Sequence, residues 1–224
     1  MNCFRCLCLL LLASAPAAAF AQPFHNLLAD RSLGDWMKTN GDPVTAGWVI
    51  EDGGVLHLAG RGGNIITRRQ YGDFELWFEF RIAPKGNNGL KYRVRAYDRQ
   101  WLGIEYQILD DDAFPRLTRD HLTGSLYDLA APKPDVTRLN PVGEWNLGKI
   151  QIRNQRVRHW VNGQLLIDEP LCGPGWKDRV AASKFSKREE FGENVLGHIM
   201  LTDHGGEVWY RNVFIRSLDG CSCR

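Results

Sequence analysis

Short segments in which apolar and polar residues alternate follow one another along most of this chain. Over residues 74–82, every second residue is Phe, Leu or Ile, and the residues between them are Glu, Trp and Arg. A period of two residues predicts a half-buried β-strand, and residues 48–50 and 55–58, joined by a Glu-Asp-Gly-Gly turn, predict a hairpin. Similar patterns predict strands over 90–97, 104–109, 149–153, 157–161, 164–167, 198–202 and 208–216.

The order of these segments predicts the fold class. Gly, Pro, Asn and Asp punctuate the strands, little of the chain has a helical period, and no βαβ spacing occurs. Many strands with few helices are typical of an antiparallel sandwich or barrel. Residues 173–194 differ, because they are rich in charge without alternation, and we expect a loop with a short helix crossing one end of a sandwich. Residues 22–224 are expected to form a single domain.

The N-terminus has the order of a secretory signal peptide. Arg5 precedes a leucine-rich run over residues 7–13, and Ala19-Phe20-Ala21 fits the small-x-small rule for cleavage before Gln22. The apolar run is shorter than the roughly 20 residues that a membrane-spanning helix needs. Residues 1–21 are therefore predicted to be a cleaved signal peptide, and the mature protein to be periplasmic or secreted without a membrane span.

Composition narrows the function classes. The net charge of +2 and the lack of a clustered basic patch argue against nucleic acid as a partner. Eight Trp residues suit an exported protein that stacks sugars on indole rings, although most of them are expected to serve packing. After cleavage Cys172, Cys221 and Cys223 remain, and one disulfide is expected between Cys172 and one of the two C-terminal cysteines. Three thiols without a matching His cluster do not predict a zinc site.

Polar residues recur at every second position on three predicted strands. Alternation places them on one face of each strand, so each strand delivers neighbouring functional groups. If the three strands are adjacent, cations, a carboxylate, an amide and an imidazole converge, which suits binding a hydroxylated ligand and moving a proton. Taken singly, each residue is better explained by a solvated sheet face, and only the three sets together favour a site. The three sets are Lys91, Arg93 and Arg95; Glu105 and Gln107; and His198, Thr202 and His204.

Eight motifs in a fixed order give the chain a family resemblance. The motifs are NNGLKYR (87–93), GIEYQILD (103–110), TGSLY (123–127), GEWN (143–146), WVNG (160–163), SKF (183–185), HIMLTDHG (198–205) and YRN (210–212). In this order they resemble the 3-keto-disaccharide hydrolase family, also described as 3-keto-glucoside lyase/hydratase domains. The resemblance covers residues 25–217. Two positions depart from it, since Thr202 stands where Gln is usual and Asn88 stands where Ser is usual.

The resemblance implies a concanavalin-like jelly roll of two antiparallel sheets, with the ligand site on the concave sheet. It also implies an enzyme whose substrates are glycosides already oxidised at C3, cleaved by elimination and hydration. Glu105 and His204 are then the candidate catalytic residues, either of them a general base near C2. A divalent cation held by Glu105, Gln107 or His204 is an open cofactor hypothesis. The residues expected to contact the substrate are Lys91, Arg93, Gln107, Tyr127, Lys184 and Thr202.

Two other functions compete with this interpretation. A non-catalytic, lectin-like sugar-binding module fits the fold equally well, because fold does not fix function. A retaining glycosidase needs two carboxylates about 5–5.5 Å apart. Glu105 is followed on its face by Gln107 and Leu109, while Asp110 points to the other face, so the sequence argues against a retaining glycosidase.

Export predicts a defined N-terminus for the mature protein. When the full chain is expressed with its export machinery, the protein recovered outside the cytoplasm should begin at Gln22, because peptidase cleaves after Ala21. Intact-mass measurement of the purified protein checks this expectation. Retention of residues 1–21 in the exported form would contradict it.

Overall fold

The computed structural model of the protein describes residues 22–29, 31–133, 135, 137–188 and 190–218. In this part of the chain the strands form two antiparallel sheets, which confirms the predicted all-β class. The predicted signal peptide, Cys221 and Cys223 lie outside the described residues, and Cys172 is exposed. The helical structure among the described residues does not reach the length and hydropathy that crossing a membrane requires.

The predicted strands are present with small shifts at their ends. Three further strands, β1, β2 and β5, contain only two or three residues, which is too short for a period of two to be recognised. The strands are β1 (His25–Asn26), β2 (Trp36–Lys38), β3 (Trp48–Glu51), β4 (Val55–Leu58), β5 (Ile65–Thr67), β6 (Phe74–Ile82), β7 (Asn87–Tyr97), β8 (Gln100–Leu109), β9 (Asn146–Arg153), β10 (Arg156–Val161), β11 (Gln164–Pro170), β12 (His198–Leu201) and β13 (Val208–Ser217), and the helix is α1 (Pro174–Ala182).

Two sheets of unequal size build the sandwich. The eight-stranded sheet has the order β11-β10-β9-β6-β13-β4-β3, with β1 also paired to β13. The five-stranded sheet has the order β2-β5-β12-β7-β8. Strands that are distant in sequence are neighbours here, since β12 pairs with β7 across about a hundred residues. The three strands that carry the predicted polar sets, β12, β7 and β8, are therefore adjacent, as the convergence of their side chains requires.

Alternating side chains from both sheets fill the core. In β6, Phe74 and Phe78 are fully buried, and Phe78 meets Tyr106 of the opposite sheet edge-on at 5.3 Å between ring centroids. Burying such a side chain contributes about 1.5–3 kcal/mol. Because strand side chains alternate, the residues between these core positions must point to the outer faces.

A buried hydrogen-bond network joins the two sheets inside this core. The Tyr92 hydroxyl bonds to His159 Nε2 at 2.8 Å, and His159 Nδ1 bonds to the Gly124 carbonyl at 3.0 Å. A neutral imidazole satisfies both contacts by accepting from Tyr92 and donating to Gly124. Burial lowers the pKa of His159 to about 4, outweighing its hydrogen bonds to the Gly124 and Ser125 carbonyls. The network ties β7 and β10 to the segment that follows β8.

The charged stretch after β11 contains the short helix that the sequence predicts. Gly173, with φ 81°, precedes Pro174 at the first helical position, where a missing N–H costs nothing. Trp176 in α1 is fully buried, and its indole N–H donates to the Phe191 carbonyl at 2.9 Å. The Trp176 side chain therefore anchors residues 173–194 to the core.

The buried His159 predicts a pH dependence of stability. Its pKa is lower in the folded state than the value near 6.5 of an unfolded chain, so the unfolded state binds more protons between about pH 6.5 and 4. The free energy of unfolding should fall across this window as the pH falls, by up to roughly 3 kcal/mol from this residue. Denaturant titrations at several pH values measure the effect.

The variant His159→Gln provides the test, because an amide can accept from Tyr92 and donate to Gly124 without titrating. It should flatten the pH dependence between pH 6.5 and 4. Gly60→Ala, which adds no titrating group and places its Cβ where no atom lies within 4 Å, should keep the dependence of the parent protein. Equal slopes for the parent and His159→Gln would contradict the assignment.

Candidate active site

The polar residues of the adjacent strands β12, β7 and β8 form rows on the outer surface of the five-stranded sheet. We call this surface the site face; it lies opposite the core positions Leu90, Tyr106 and Leu201. Lys91 is paired with Met200 on one side and with Glu105 on the other. The row continues beyond β8, because the Tyr127 N–H donates to the Glu105 carbonyl at 3.1 Å. Strand pairing thus brings together residues from three separate motifs.

The Glu105 carboxylate is the centre of this cluster. It is only 4 % exposed although it lies on an outer face. Its Oε2 atom is 3.4 Å from the ammonium nitrogen of Lys91. The carboxylate lies directly over Gly89, where a Cβ atom would come within 2.0 Å of Glu105 Oε1. A buried carboxylate needs a compensating charge, and Lys91 supplies it here.

A second buried network fixes Gly89 under the carboxylate. Asn88 Oδ1 accepts the Gly89 N–H at 2.9 Å and the Tyr210 hydroxyl at 2.7 Å. The Asn88 amide nitrogen donates to the Thr202 carbonyl at 2.6 Å, which ties β7 to the end of β12. An amide at position 88 both donates and accepts, and this structure uses both functions. The departure of Asn88 from the family pattern therefore has a structural role.

Lys184 and Tyr127 close the cluster from outside the sheet. The Lys184 ammonium lies 4.0 Å from the centre of the Tyr127 ring, within the range of a cation–π contact. Its backbone N–H donates to Asp128 Oδ2 at 2.7 Å, so the residue after Tyr127 positions the lysine. Burial lowers the pKa of Lys184, with repulsion from Lys91 adding to it and attraction from Glu105 opposing it. The pKa of Tyr127 is raised by burial and then by the charge of Glu105.

His204 lies at the open side of the cluster. Partial desolvation lowers the pKa of this imidazole, and repulsion from Lys91 and Lys184 adds to the effect against the attraction of Glu105. At neutral pH the ring is accordingly neutral and able to accept a proton.

A neighbouring aspartate anchors the loop that carries His204. Asp203 accepts the N–H groups of Gly62 and Gly63 at 2.9 and 2.8 Å, and that of Gly205 at 2.9 Å. Burial alone would raise the pKa of Asp203, but these backbone donors lower it. The Asp203 carboxylate therefore holds the loop backbone in place, a role that the sequence interpretation did not assign to it. The Asp-x-Gly spacing over 203–205 was the available signal, since Asp readily accepts the N–H two residues ahead.

Arg93 and Arg95 do not join the cluster, which corrects the predicted Lys91/Arg93/Arg95 face. One extra residue is inserted in β7, because the four residues from Lys91 to Val94 face only the three from His198 to Met200 in β12. Arg93 takes a φ of 51° at this β-bulge and turns its guanidinium to the Gly192 carbonyl (3.1 Å) and to Gln155 Oε1. A bulge reverses the alternation that follows it. The predicted contact of Arg93 with substrate therefore has no support in this geometry.

Three other residues from the predicted polar sets lie on or beside the site face, and each forms a hydrogen bond within the protein. Gln107 is buried next to Glu105, and its amide donates to Asn87 Oδ1 at 3.2 Å. Thr202 is fully buried, and its hydroxyl donates to the Gly89 carbonyl at 3.1 Å, so it supports the site from within rather than facing a ligand. His198 lies beyond the bulge and bonds to the Thr67 carbonyl at 2.6 Å.

Among the residues that the structure describes, one group of side chains could offer ligand atoms to a metal ion. Asp120, His121 and Asp128 place such atoms within 4.8 Å of one another. Both ring nitrogens of His121 lie 3.2 Å from a carboxylate, one from Asp120 and one from Asp128. The imidazole also packs against Tyr127, edge to face at 4.6 Å. These internal contacts already satisfy the imidazole, and the group differs from the cation site hypothesised on Glu105, Gln107 and His204.

Comparisons with known proteins identify the class. A crystal structure from Parabacteroides distasonis, described as a "putative glycosyl hydrolase", superposes with a TM-score of 0.79 at 29% identity, covering 88% of this chain and 94% of that one. A Bacillus subtilis protein of unknown function with a galectin-like fold superposes with a TM-score of 0.52 at 13% identity, covering 88% and 96%. The second likeness bears on the fold alone and confirms the jelly-roll architecture. The protein is therefore a carbohydrate-active protein of the glycosyl-hydrolase-like class, built on a jelly-roll fold.

The sequence comparisons give the family. The chain belongs to the family of 3-keto-alpha-glucoside-1,2-lyase-like domains, whose model matches residues 23–216. It is 30% identical to the 3-keto-disaccharide hydrolase of Bacteroides thetaiotaomicron, over 89% of this chain and 80% of that protein. The resemblance inferred from the eight motifs is confirmed, and the protein is a hydrolase-type enzyme.

The close contact at Gly89 predicts an effect of one added methyl group. In Gly89→Ala the new Cβ would displace the Glu105 carboxylate, and such overpacking costs about 1–3 kcal/mol of unfolding free energy. Gly60→Ala is the control, because no atom lies within 4 Å of a Cβ built there. Denaturant unfolding and a crystal structure of each variant measure stability and the carboxylate position. An unmoved Glu105 with unchanged stability in Gly89→Ala would contradict the described contact.

Proposed function

We propose that this enzyme cleaves glycosides that carry a ketone at C3, and that the reaction takes place over Glu105 on the site face. The observation that carries the proposal is the charge balance of the cluster. One buried carboxylate is surrounded by Lys91, Lys184 and the neutral imidazole of His204. Such a site favours negative charge that develops on a substrate oxygen.

The first half of the reaction is an elimination. A C3 ketone makes the C2 proton acidic, and His204, neutral at pH 7, accepts this proton. The electrons of the C2–H bond form an enolate, whose oxygen the lysine ammonium groups stabilise. Collapse of the enolate restores the C3 ketone, forms the C1–C2 double bond and breaks the bond from C1 to the leaving-group oxygen, which takes the proton that His204 removed from C2. Glu105 holds the cations in place and accepts hydrogen bonds from sugar hydroxyls.

The second half is a hydration. Water adds its oxygen to C1 of the unsaturated ketone, and a proton returns to C2. The sum of both halves is hydrolysis of the glycosidic bond without exchange of electrons with any external partner. The names of the family and of the Bacteroides thetaiotaomicron relative support this substrate class.

The geometry favours this chemistry over direct displacement at C1. A retaining glycosidase needs two carboxylates about 5–5.5 Å apart. Of the outward positions on β7, β8 and β12, all of which the structure describes, Glu105 is the one that holds a carboxylate. The neighbouring Asp128 is committed to His121 and to the Lys184 N–H. A lectin-like module needs acceptors for sugar hydroxyls, but two ammonium groups beside a neutral imidazole favour a reaction in which a substrate oxygen gains negative charge.

The proposal predicts a strict requirement for the ketone. The enzyme should cleave 3-keto-trehalose or 3-keto-lactose and leave the unoxidised disaccharides intact, because only the ketone acidifies C2. In deuterium oxide, the released 3-keto sugar should carry deuterium at C2, measured by mass spectrometry against an enzyme-free exchange control. Cleavage of the unoxidised parents, or product without the C2 label, would overturn the mechanism.

Variants connect this chemistry to the cluster. Glu105→Gln and His204→Ala should each lower kcat/KM at least about 100-fold while the thermal unfolding transition is retained. Glu79→Gln serves as the control, since Glu79 pairs with Arg211 on the other sheet. Activity near that of the parent in both site variants would place the reaction elsewhere.

A further inference from the structure

A small apolar cluster lies on the site face, apart from the main core. Its buried members are Ile66, Val94 and Met200, and Met37 and Trp101 pack against them. The buried members are shielded completely from solvent, whereas Met37 and Trp101 are half-buried. The solvent-facing part of the cluster therefore consists of the indole and the thioether.

The β-bulge in β7 creates this cluster. Without the inserted residue, alternation would place the Arg93 guanidinium on the site face beyond Lys91. With it, Val94 takes this place, paired with His198. Glycines on both sides of β7 make room for the bulge: a Cβ at Gly103 in β8 would lie 2.6 Å from Val94 Cγ2, and one at Gly197, just before β12, would lie 2.4 Å from the Arg93 carbonyl carbon. The site face thus changes from polar to apolar within one strand.

Trp101 stands on the same strand and the same face as Glu105. They are four positions apart along the strand, which places their Cα atoms roughly 14 Å apart. Gly103 lies between them, and the Val94 side chain packs closely against it, so the surface between the two residues is apolar. The indole rests on the apolar cluster, and its edge contacts the His198 ring at 5.6 Å between centroids. His198 is itself held by the Thr67 carbonyl at 2.6 Å and by Gln70 at 3.2 Å. The indole is therefore held in position before any ligand arrives.

We propose that Trp101 forms the binding platform for the leaving group of the substrate, and that this leaving group presents a flat, hydrocarbon-rich face. Such a face belongs to a second pyranose or to an aromatic aglycone. The inference rests on the proposed function: the keto sugar occupies the polar cluster at Glu105, and the group attached to its C1 extends over Gly103 to the indole. Ligand sites combine apolar walls with a few precisely placed polar groups. The site face offers both, since the apolar cluster lies under Trp101 and the polar cluster surrounds Glu105.

Turnover of three 3-keto-glucosides tests the platform. Their leaving groups are methanol, which is too small to reach Trp101, phenol and glucose. Trp101→Ala should raise KM about 10-fold or more for the phenyl or glucosyl compound, a loss of about 1.4 kcal/mol, and change the methyl compound less than about 2-fold. Trp101→Phe, which keeps an aromatic face, should restore most of the affinity. The compound that loses affinity identifies the leaving group as aromatic or as a sugar.

The control variant is Trp145→Ala, because Trp145 is equally half-buried but contacts Arg81 and Arg211 on the other sheet. It should leave all three KM values unchanged. A loss of the same size for all three substrates in Trp101→Ala, or no loss for any, would overturn the platform. If Trp101→Ala does not fold, Trp101→Leu replaces it, since leucine covers the apolar cluster without offering a ring to stack on.

A binding measurement separates this proposal from the proposed function. Calorimetric titration with unoxidised phenyl glucoside and with a glucosyl-glucose disaccharide needs no turnover. One outcome would support the platform and contradict the proposed elimination. In that case the parent protein cleaves no 3-keto-glucoside but binds one of these ligands, and Trp101→Ala weakens the binding while Trp145→Ala does not. If turnover depends on the ketone but Trp101→Ala changes neither binding nor KM, the platform fails and the chemistry stands.

Discussion

The contact between the Glu105 carboxylate and the bare backbone of Gly89 is the constraint on which the site depends. A carboxylate that is 4 % exposed loses most of its hydration, and Lys91 at 3.4 Å offsets that loss. The carboxylate reaches this position only because residue 89 has no Cβ. Burial is the largest influence on the pKa values of Lys184, Tyr127 and His204, and the charge of Glu105 acts on all three, so this one side chain links the electrostatics of the cluster.

The core fixes the register on which that contact relies. β7 presents Tyr92 to the buried His159 on one face and Lys91 to Glu105 on the other. A slip of one residue would exchange the two faces and destroy both arrangements at once. Tyr210 extends this coupling, because its hydroxyl crosses from the eight-stranded sheet to Asn88, directly beside Gly89. The stability of the sandwich and the geometry of the site are therefore set by the same strands.

Sequence alternation was sufficient to predict the long strands and the polar residues on one face of each, because side-chain burial imposes a period of two wherever a strand is half-buried. The adjacency of β12, β7 and β8 was a condition of the prediction that the structure supplies. It failed at Arg93, where one inserted residue reverses the period. Nothing local in the sequence marks that insertion, since its space is provided by Gly103 in β8 and by Gly197, far away in the chain, just before β12. Trp101 was missed for the same reason, because its partner Val94 is on the site face only through the bulge. The short strands β1, β2 and β5 were missed because two or three residues show no period.

The bulge also separates the charged cluster at Glu105 from the apolar cluster on the same face. Cations beside Glu105 suit a reaction in which a substrate oxygen gains negative charge, but they would bind a hydrocarbon surface poorly. An additional arginine at the position of Val94 would extend the cationic region over the path from Glu105 to Trp101. By turning Arg93 to Gly192 and Gln155, the chain keeps this guanidinium off the path between Glu105 and the apolar cluster. A substrate with a polar, reacting ring and a flatter attached group then has one orientation in which both of its ends are matched.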